Sequence, residues 1–137
     1  MIYLGSKAAS GVFQKIIAEM PPHDTYIETH LGGGAVMLRK PPARRNWGID
    51  IDPLTVEAFC QGNVDFLDTV SDSLFIDVAD AVQFLRGYDF SSAGRVLVYA
   101  DPPYLHETRT SAARYDELLT GWRQKEFQAM TRGGVRT

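Results

Sequence analysis

The apolar stretch at residues 95–100 runs directly into Asp101-Pro102-Pro103-Tyr104, and this junction constrains the fold more than any other part of the sequence. Neither proline can donate a ladder hydrogen bond and each fixes its own φ, so a strand here must stop at Asp101. The rigid loop that follows presents a carboxylate and an aromatic ring at the carboxyl end of a buried strand. A flat ring beside rigid carbonyls suits a planar heterocycle whose amino group donates to a carboxylate and a carbonyl.

Predicted strands and helices alternate along the chain. Apolar residues between Val12 and Met20 fall on one helical face, and the two prolines that follow end that helix. The same criteria predict strands at residues 25–28, 47–51, 74–78 and 95–100, and helices at residues 35–39, from residue 53 and at residues 80–88. Residues 64–73 fit either state. Strands that alternate with helices indicate an α/β domain with a mainly parallel sheet.

The last part of the sequence contains no further apolar strand. One helix is predicted from Asp116, followed by a Gly-Gly and arginine tail. We therefore count about four strands in all. The strand that ends at Asp101 would have an exposed edge, which a homodimer or a partner chain would complete.

Length and composition exclude several classes of protein. The 137 residues suffice for one domain. Cys60 is the single cysteine, so no intramolecular disulfide forms, and this fits a reducing compartment. No apolar run approaches the ~20 residues of a membrane span, and the amino terminus lacks the layout of a signal peptide. We therefore expect a cytoplasmic protein with no membrane partner and no Cys/His metal centre.

The net charge of −3 conceals an uneven distribution of charged side chains. Residues 46–104 carry two basic and ten acidic side chains, whereas the segments on either side carry six basic side chains each. Candidates for contacts with nucleic-acid phosphates are Arg39, Lys40, Arg44, Arg45, Arg109 and Arg114. Ordinary solvated charges explain the same residues equally well.

Two further groups of residues stand at predicted strand ends, where open α/β sheets bind their ligands. The first runs from Glu28 to Gly34 and contains three consecutive glycines, which allow a tight turn and a close approach of the backbone. No Lys-Ser or Lys-Thr follows these glycines, so they do not form a phosphate P-loop. The second group, Asp50 to Asp52, is placed for hydrogen bonds to ribose hydroxyls or, alternatively, for capping the next helix.

Five segments together resemble motifs of the adenine-specific DNA methyltransferases that use S-adenosylmethionine: YLGSK, YIETHLGGGAV, GIDIDP, DAVQFL and DPPYLHETR. More narrowly, they are similar to the class in which an amino-terminal cofactor motif precedes the glycine loop. The family's lead-in to that loop has proline and phenylalanine where this chain has Thr29 and His30. The resemblance fades after Tyr115. It implies a single, partial methyltransferase domain over residues 1–137, with an incomplete Rossmann-like sheet and DNA as its partner.

The resemblance also implies roles for individual residues. The cofactor-binding residues would be Tyr3, Lys7, Glu28, Gly32, Gly34, Asp50, Asp80 and Asp101, and the catalytic residues would be Asp101, Pro102, Pro103 and Tyr104. Asp50 matches the acid that binds the ribose. Asp80 matches an acid near the adenine of the cofactor, although a helix N-cap explains Asp80 nearly as well. Arg109 and Arg114 would contact phosphates next to the target base.

The implied reaction is direct methyl transfer to the exocyclic amino group of adenine. The Asp101 carboxylate and the Pro102 carbonyl would each accept a hydrogen bond from one of its two N–H groups. Tyr104 would stack on the base after the base is flipped from the duplex. Two alternatives stay open: an RNA or other amino-group methyltransferase, and an inactive cofactor-binding fragment or interaction module. Because the sheet is expected to be incomplete, we expect weak or no activity from the chain on its own.

Overall fold

The computed structural model of the protein describes residues 11–101, 127–131 and 134–136. Five α-helices lie within these ranges: α1 Val12–Ala18, α2 Ala35–Arg39, α3 Pro53–Gly62, α4 Val64–Thr69 and α5 Ala81–Gly87. The same ranges contain six strands: β1 Thr25–Glu28, β2 Arg45–Asp50, β3 Leu74–Val78, β4 Val96–Tyr99, β5 Gln128–Thr131 and β6 Gly134–Arg136. A single turn of 3-10 helix, Phe90–Ser92, precedes β4.

The six strands form one sheet in the order β3-β2-β1-β4-β5-β6. Neighbouring strands are parallel except for β5 and β6, which are antiparallel. The chain builds outward from β1 to β3 and then crosses back to place β4 on the other side of β1, so the strand order reverses between β1 and β4. This architecture confirms the predicted α/β, Rossmann-like fold. It also places the crevice where such sheets bind ligands at the carboxyl ends of β1 and β4.

The prediction of about four strands, with an exposed edge at β4, is wrong. β5 pairs with β4 in parallel, with Leu97 opposite Gln128 and Tyr99 opposite Met130. The Ala100 amide also donates a hydrogen bond of 2.8 Å to the Met130 carbonyl. The chain itself therefore covers the edge for which a homodimer or a partner chain was expected. Within the described residues, these six strands are still fewer than in the complete sheet that the resemblance implies.

Side chains alternate between the two faces of the sheet along each strand, and they pack into two apolar layers, one on each face. The layer that includes α1 and α2 contains Phe13, Ile16, Tyr26, Leu31, Val36, Met37, Phe59, Leu97, Tyr99 and Met130. The layer that includes α5 contains Ile27, Ala81, Val82, Leu85, Ala93, Val96, Val98, Ala100, Phe127 and Ala129. Because β1 and β4 are buried on both faces, the strands that end at the crevice are held rigidly.

Candidate functional site

Four acidic residues lie where four neighbouring strands end. Glu28 ends β1, Asp50 ends β2, Asp80 follows β3, and Asp101 follows β4. Because these strands are parallel and adjacent, the four residues share one edge of the sheet, which we call the carboxyl edge. Glu28 lies opposite Tyr99 in the register of β1 and β4, so Glu28 and Asp101 flank the reversal in strand order.

The glycine loop connects β1 to α2 and is tied to the end of β2. The Leu31 amide donates to the Ile49 carbonyl at 2.9 Å, and the Gly34 amide donates to the Leu31 carbonyl at 2.8 Å. Gly32 and Gly34 have φ angles of 55° and 73°, in the left-handed region that glycine adopts without strain. A Cβ atom on Gly34 would overlap the ring of Phe59. The loop therefore needs glycine at both positions, and at Gly34 it needs the space as well.

Asp50 connects the glycine loop to the carboxyl edge. Its Oδ2 accepts a hydrogen bond of 3.0 Å from the Gly32 amide, and its Oδ1 accepts one of 3.0 Å from the Asp52 amide. Each carboxylate oxygen can accept a further hydrogen bond, because an ionised carboxyl group has about four lone-pair positions. The two backbone bonds hold the carboxylate in one orientation, which suits a bidentate contact with a pair of vicinal hydroxyls.

Large apolar side chains are exposed around Asp50. Ile51 follows it directly and is 67% exposed, and Leu54, in the first turn of α3, is 72% exposed. Val78 lies opposite Asp50 in the register of β2 and β3 and is 42% exposed. Exposed apolar residues grouped beside a polar anchor are typical of a ligand site. None of these three residues is among the predicted site residues, although an apolar residue directly after a strand-ending acid was a usable signal.

Helix capping accounts for Asp52 and, in part, for Asp80. Asp52 is the N-cap of α3, and its carboxylate accepts from the Leu54 amide at 3.0 Å. The alternative reading of the Asp50 to Asp52 segment as a helix cap therefore applies to Asp52. Asp80 is the N-cap of α5, with a hydrogen bond of 3.0 Å from the Gln83 amide to its Oδ2.

Glu28 is buried beneath the carboxyl edge and has a tyrosine partner. The residue is 1% exposed, and the Tyr26 hydroxyl donates to its Oε1 at 2.8 Å. Both side chains point to the same face of β1, since they are two residues apart in a strand. Burial, together with the neighbouring Glu28 carboxylate, raises the pKa of Tyr26 well above its usual value. Tyr26 therefore remains a hydrogen-bond donor to the carboxylate at any physiological pH.

A backbone hydrogen bond joins the ends of β1 and β4. It lies two residues before Asp101, which is partly buried. The Thr29 amide donates to the Tyr99 carbonyl at 3.2 Å. A proline at position 29, as in the family's usual motif, could not donate this hydrogen bond. The Thr29 side chain instead contacts the His30 ring, with 2.9 Å between Oγ1 and Nδ1.

Several predicted site residues lie outside the described residues: Tyr3, Lys7, Pro102, Pro103, Tyr104, Arg109 and Arg114. The structure therefore brings together Glu28, Gly32, Gly34, Asp50, Asp80 and Asp101 from the predicted set.

The remaining basic candidates for phosphate contacts do not lie at the carboxyl edge. Arg45 begins β2, and a strand of six residues from Arg45 to Asp50 spans roughly 17 Å. Arg44 precedes Arg45, and Arg39 ends α2, which runs back from the glycine loop toward the start of β2. Lys40 is buried, with an exposed fraction of 7%, rather than solvated. This basic group belongs to the opposite edge of the sheet, which we call the amino edge.

The described residues contain neither a membrane-spanning helix nor a cluster of metal-binding side chains. No helix in the ranges 11–101, 127–131 and 134–136 is long and apolar enough to cross a membrane. Within the same ranges, no group of three or more His, Cys, Asp or Glu residues could hold a metal ion.

No protein-family model matches the chain, and no curated protein matches its sequence. Solved structures do match its fold. A candidate methyltransferase of Escherichia coli is 16% identical, with a TM-score of 0.59, over 92% of this chain and 69% of that protein. An RNA methyltransferase from Salinibacter ruber, in complex with S-adenosyl-L-homocysteine, is 17% identical, with a TM-score of 0.51, over 87% of this chain and 70% of that protein.

A candidate exported protein of Bordetella parapertussis is 17% identical, with a TM-score of 0.60, over 88% of this chain. The chain spans 39% of the length of that protein. At these low sequence identities, the similarity to the solved structures shows a shared fold and nothing further. The chain therefore has the Rossmann-like fold on which the Salinibacter RNA methyltransferase is built.

Proposed function

We propose that the protein is an S-adenosylmethionine-dependent methyltransferase that modifies the N6 amino group of adenine in DNA. Three observations support the proposal: the five motif segments, the Rossmann-like fold, and the shared sheet edge of the motif residues that the structure describes, which are Glu28, Gly32, Gly34, Asp50, Asp80 and Asp101. The observation that carries it is the Asp50 carboxylate, which is oriented by the Gly32 and Asp52 amides at 3.0 Å each.

The residues at the carboxyl edge fit S-adenosylmethionine. Asp50 would accept hydrogen bonds from the two ribose hydroxyls with the lone pairs that the backbone amides leave free. Gly32 and Gly34 would allow the methionine part of the cofactor to approach the backbone closely. The exposed Ile51 and Leu54 would be covered by the adenine ring, which removes their apolar surface from water.

The target amino group would meet Asp101 at the end of β4. The Asp101 carboxylate would accept a hydrogen bond from one N–H group of the target, and the Pro102 carbonyl would accept one from the other. These two hydrogen bonds would orient the nitrogen lone pair toward the methyl group. Tyr104 would stack on the flipped base. S-adenosylmethionine supplies an activated methyl group on its sulfonium. The residues of the chain then contribute positioning and electrostatics, without a covalent enzyme intermediate.

RNA is the second candidate substrate. The matched Salinibacter ruber protein is an RNA methyltransferase in complex with S-adenosyl-L-homocysteine. An Asp-Pro-Pro-Tyr loop serves any planar amino group, so the chemistry at Asp101 does not discriminate between DNA and RNA. The amino-terminal segment YLGSK favours the DNA enzymes, because it belongs to the motif order that the whole sequence follows.

Cofactor binding is tested by titration calorimetry with S-adenosyl-L-homocysteine. We expect Asp50→Ala to weaken binding at least tenfold, because it removes an acceptor with two oriented oxygens. Asp52→Asn is the matched control, since asparagine also caps helices well and the change leaves Asp50 in place. Equal affinity for the chain and for Asp50→Ala would contradict the ribose role.

Substrate class is tested by methyl incorporation from labelled S-adenosylmethionine into duplex DNA and into RNA, followed by digestion to nucleosides. Because β5 and β6 cover the sheet edge whose exposure predicted weak activity, we expect N6-methyl-2′-deoxyadenosine from the chain itself, and its loss in Asp101→Ala. Label in RNA nucleosides would replace the DNA assignment by the second candidate. Cofactor binding with no transfer to either polymer would leave a cofactor-binding module and refute the enzymatic proposal.

A further inference from the structure

A groove of about 400 Å³ opens at the amino edge of the sheet, across the molecule from the proposed methyl-transfer site. Its walls are mostly apolar and come from the end of α1, the two Pro-Pro pairs with their neighbours, and Arg95, which precedes β4. The lining residues that carry the argument are Ile17, Met20, Pro22, His23, Lys40 and Pro42. Neither the resemblance nor the proposed reaction assigns a role to this groove.

Lys40 places a buried cation in the wall of the groove. Its Nζ donates to the Pro41 carbonyl at 2.9 Å and lies 4.5 Å from the centre of the Tyr26 ring. No carboxylate of the described residues forms an ion pair with it. Burial lowers the pKa of Lys40 to about 8, although the charge of the Glu28 carboxylate acts to raise it. A buried ammonium with no carboxylate at ion-pair distance is costly, and an anion from outside would relieve that cost.

The other charged groups near the groove do not neutralise the charge of Lys40. Arg95 binds Asp24, with 3.1 Å between Nε and Oδ2, so this acid is already paired. The His23 Nδ1 contacts the Pro21 carbonyl at 2.8 Å, and burial lowers the pKa of this ring. The groove therefore offers a cation, an apolar surface and no accessible acid among its described lining residues.

We propose that the groove binds an acidic, apolar peptide segment of a partner protein, with a glutamate or aspartate carboxylate on the Lys40 ammonium. An ammonium has three N–H donors, and one of them is used by Pro41, so a carboxylate can bind without displacing a bond. The proline, isoleucine and methionine walls suit an apolar side chain next to that carboxylate. A nucleic acid fits less well, because its bases need aromatic stacking partners and the described lining offers His23 and no Phe, Tyr or Trp.

The test is a heteronuclear NMR titration of the full chain with the peptide acetyl-Leu-Leu-Glu-Leu-amide. We expect shifts at groove residues, and affinity about tenfold or more above that of the peptide with Gln in place of Glu. Oligouridylate is the competing probe. Equal affinity for the Glu and Gln peptides, shifts away from the groove, oligouridylate binding in place of the peptide, or no binding would each overturn the proposal.

Two variants assign the binding to the groove. Lys40→Met removes the charge while keeping an apolar stem, so the chain is expected to fold and to lose the preference for Glu over Gln. Ala43→Trp fills the groove from another wall residue and should abolish binding of both peptides. Lys15→Met, on the exposed side of α1, is the matched control and should bind like the parent chain. A parent-like preference in Lys40→Met would refute the carboxylate contact.

Discussion

Gly34→Ala tests whether the glycine loop is held by backbone conformation and by packing together. Gly34 has a φ of 73° and is buried at the N-cap of α2. The Cβ of an alanine would overlap Phe59, whose Cδ1 would lie 2.7 Å away. Phe59 is 3% exposed and packs edge-on against Phe66 at 6.5 Å between ring centres, so the ring cannot move aside freely.

The expected loss of stability has two parts. A left-handed conformation costs a residue with a Cβ about 1–2 kcal/mol relative to glycine. Forcing extra volume into a packed core costs a further 1–3 kcal/mol, roughly, through displacement of Phe59. We therefore expect Gly34→Ala to lower the free energy of unfolding by about 2–5 kcal/mol.

The neighbouring glycines provide matched controls for these two parts. Gly33 has no positive φ, and a Cβ there meets no atom within 4 Å, so Gly33→Ala should change stability by less than about 0.5 kcal/mol. Gly32 has a φ of 55° and open space, so Gly32→Ala should cost the conformational part, about 1–2 kcal/mol. Urea unfolding of all three variants measures the series. A Gly34→Ala loss no larger than that of Gly32→Ala would refute the packing part, and one equal to Gly33→Ala would refute both.

Three further predictions concern ionisable groups. The pKa of Lys40 falls from 10.5 to about 8 on folding, so the unfolded chain binds more protons than the folded chain between these pH values. The free energy of unfolding, relative to that of Lys40→Met, should therefore rise by about 1–2 kcal/mol from pH 8 to pH 10.5. Urea unfolding measures this rise. Tyr26→Phe should cost about 1.5–3 kcal/mol by removing the donor to Glu28, and the loss should shrink in a Glu28→Gln background. Arg95 donates hydrogen bonds to Asp24 and lowers the pKa of this carboxyl group from 3.8 to about 2. The interaction therefore contributes fully to stability above pH 3.8, and this contribution is lost as the pH falls through 2. Acid unfolding of Asp24→Asn should lack this step.

Strong local signals explain which elements could be predicted. The strands Thr25–Glu28 and Leu74–Val78 have the bounds that the sequence indicates, since each is a short segment rich in β-branched and aromatic residues between turn-forming residues. The Asp52-Pro53 pair likewise marks the start of α3, because an Asp N-cap and a proline at the first helical position satisfy that end. These elements are encoded by neighbours in the sequence.

The features that escaped prediction depend on contacts distant in sequence. The segment Gln128–Thr131 shows no clear alternation of apolar and polar residues, and it becomes a strand by pairing with β4 and burying Ala129 and Met130 completely. The burial of Lys40 arises in a similar way, because its side chain packs over the Tyr26 ring from the preceding strand. The local pattern indicates no strand at Gln128–Thr131 and offers a solvated charge at Lys40, whereas the structure has a strand and a buried side chain at these positions.

Asp80 is the residue whose two proposed roles the sequence could not separate, and substitution can separate them. It caps α5 through the Gln83 amide, so Asp80→Ala should lose about 1 kcal/mol of stability. Asp80→Ser keeps a capping oxygen but removes the carboxylate, so its stability should stay close to that of the parent chain. If the carboxylate contacts the adenine of the cofactor, both variants should bind S-adenosyl-L-homocysteine about tenfold more weakly in calorimetry. Asp89→Ala removes the corresponding cap of the 3-10 helix away from the carboxyl edge and should leave that affinity unchanged. Parent-like affinity in Asp80→Ser would make Asp80 a helix cap and nothing more.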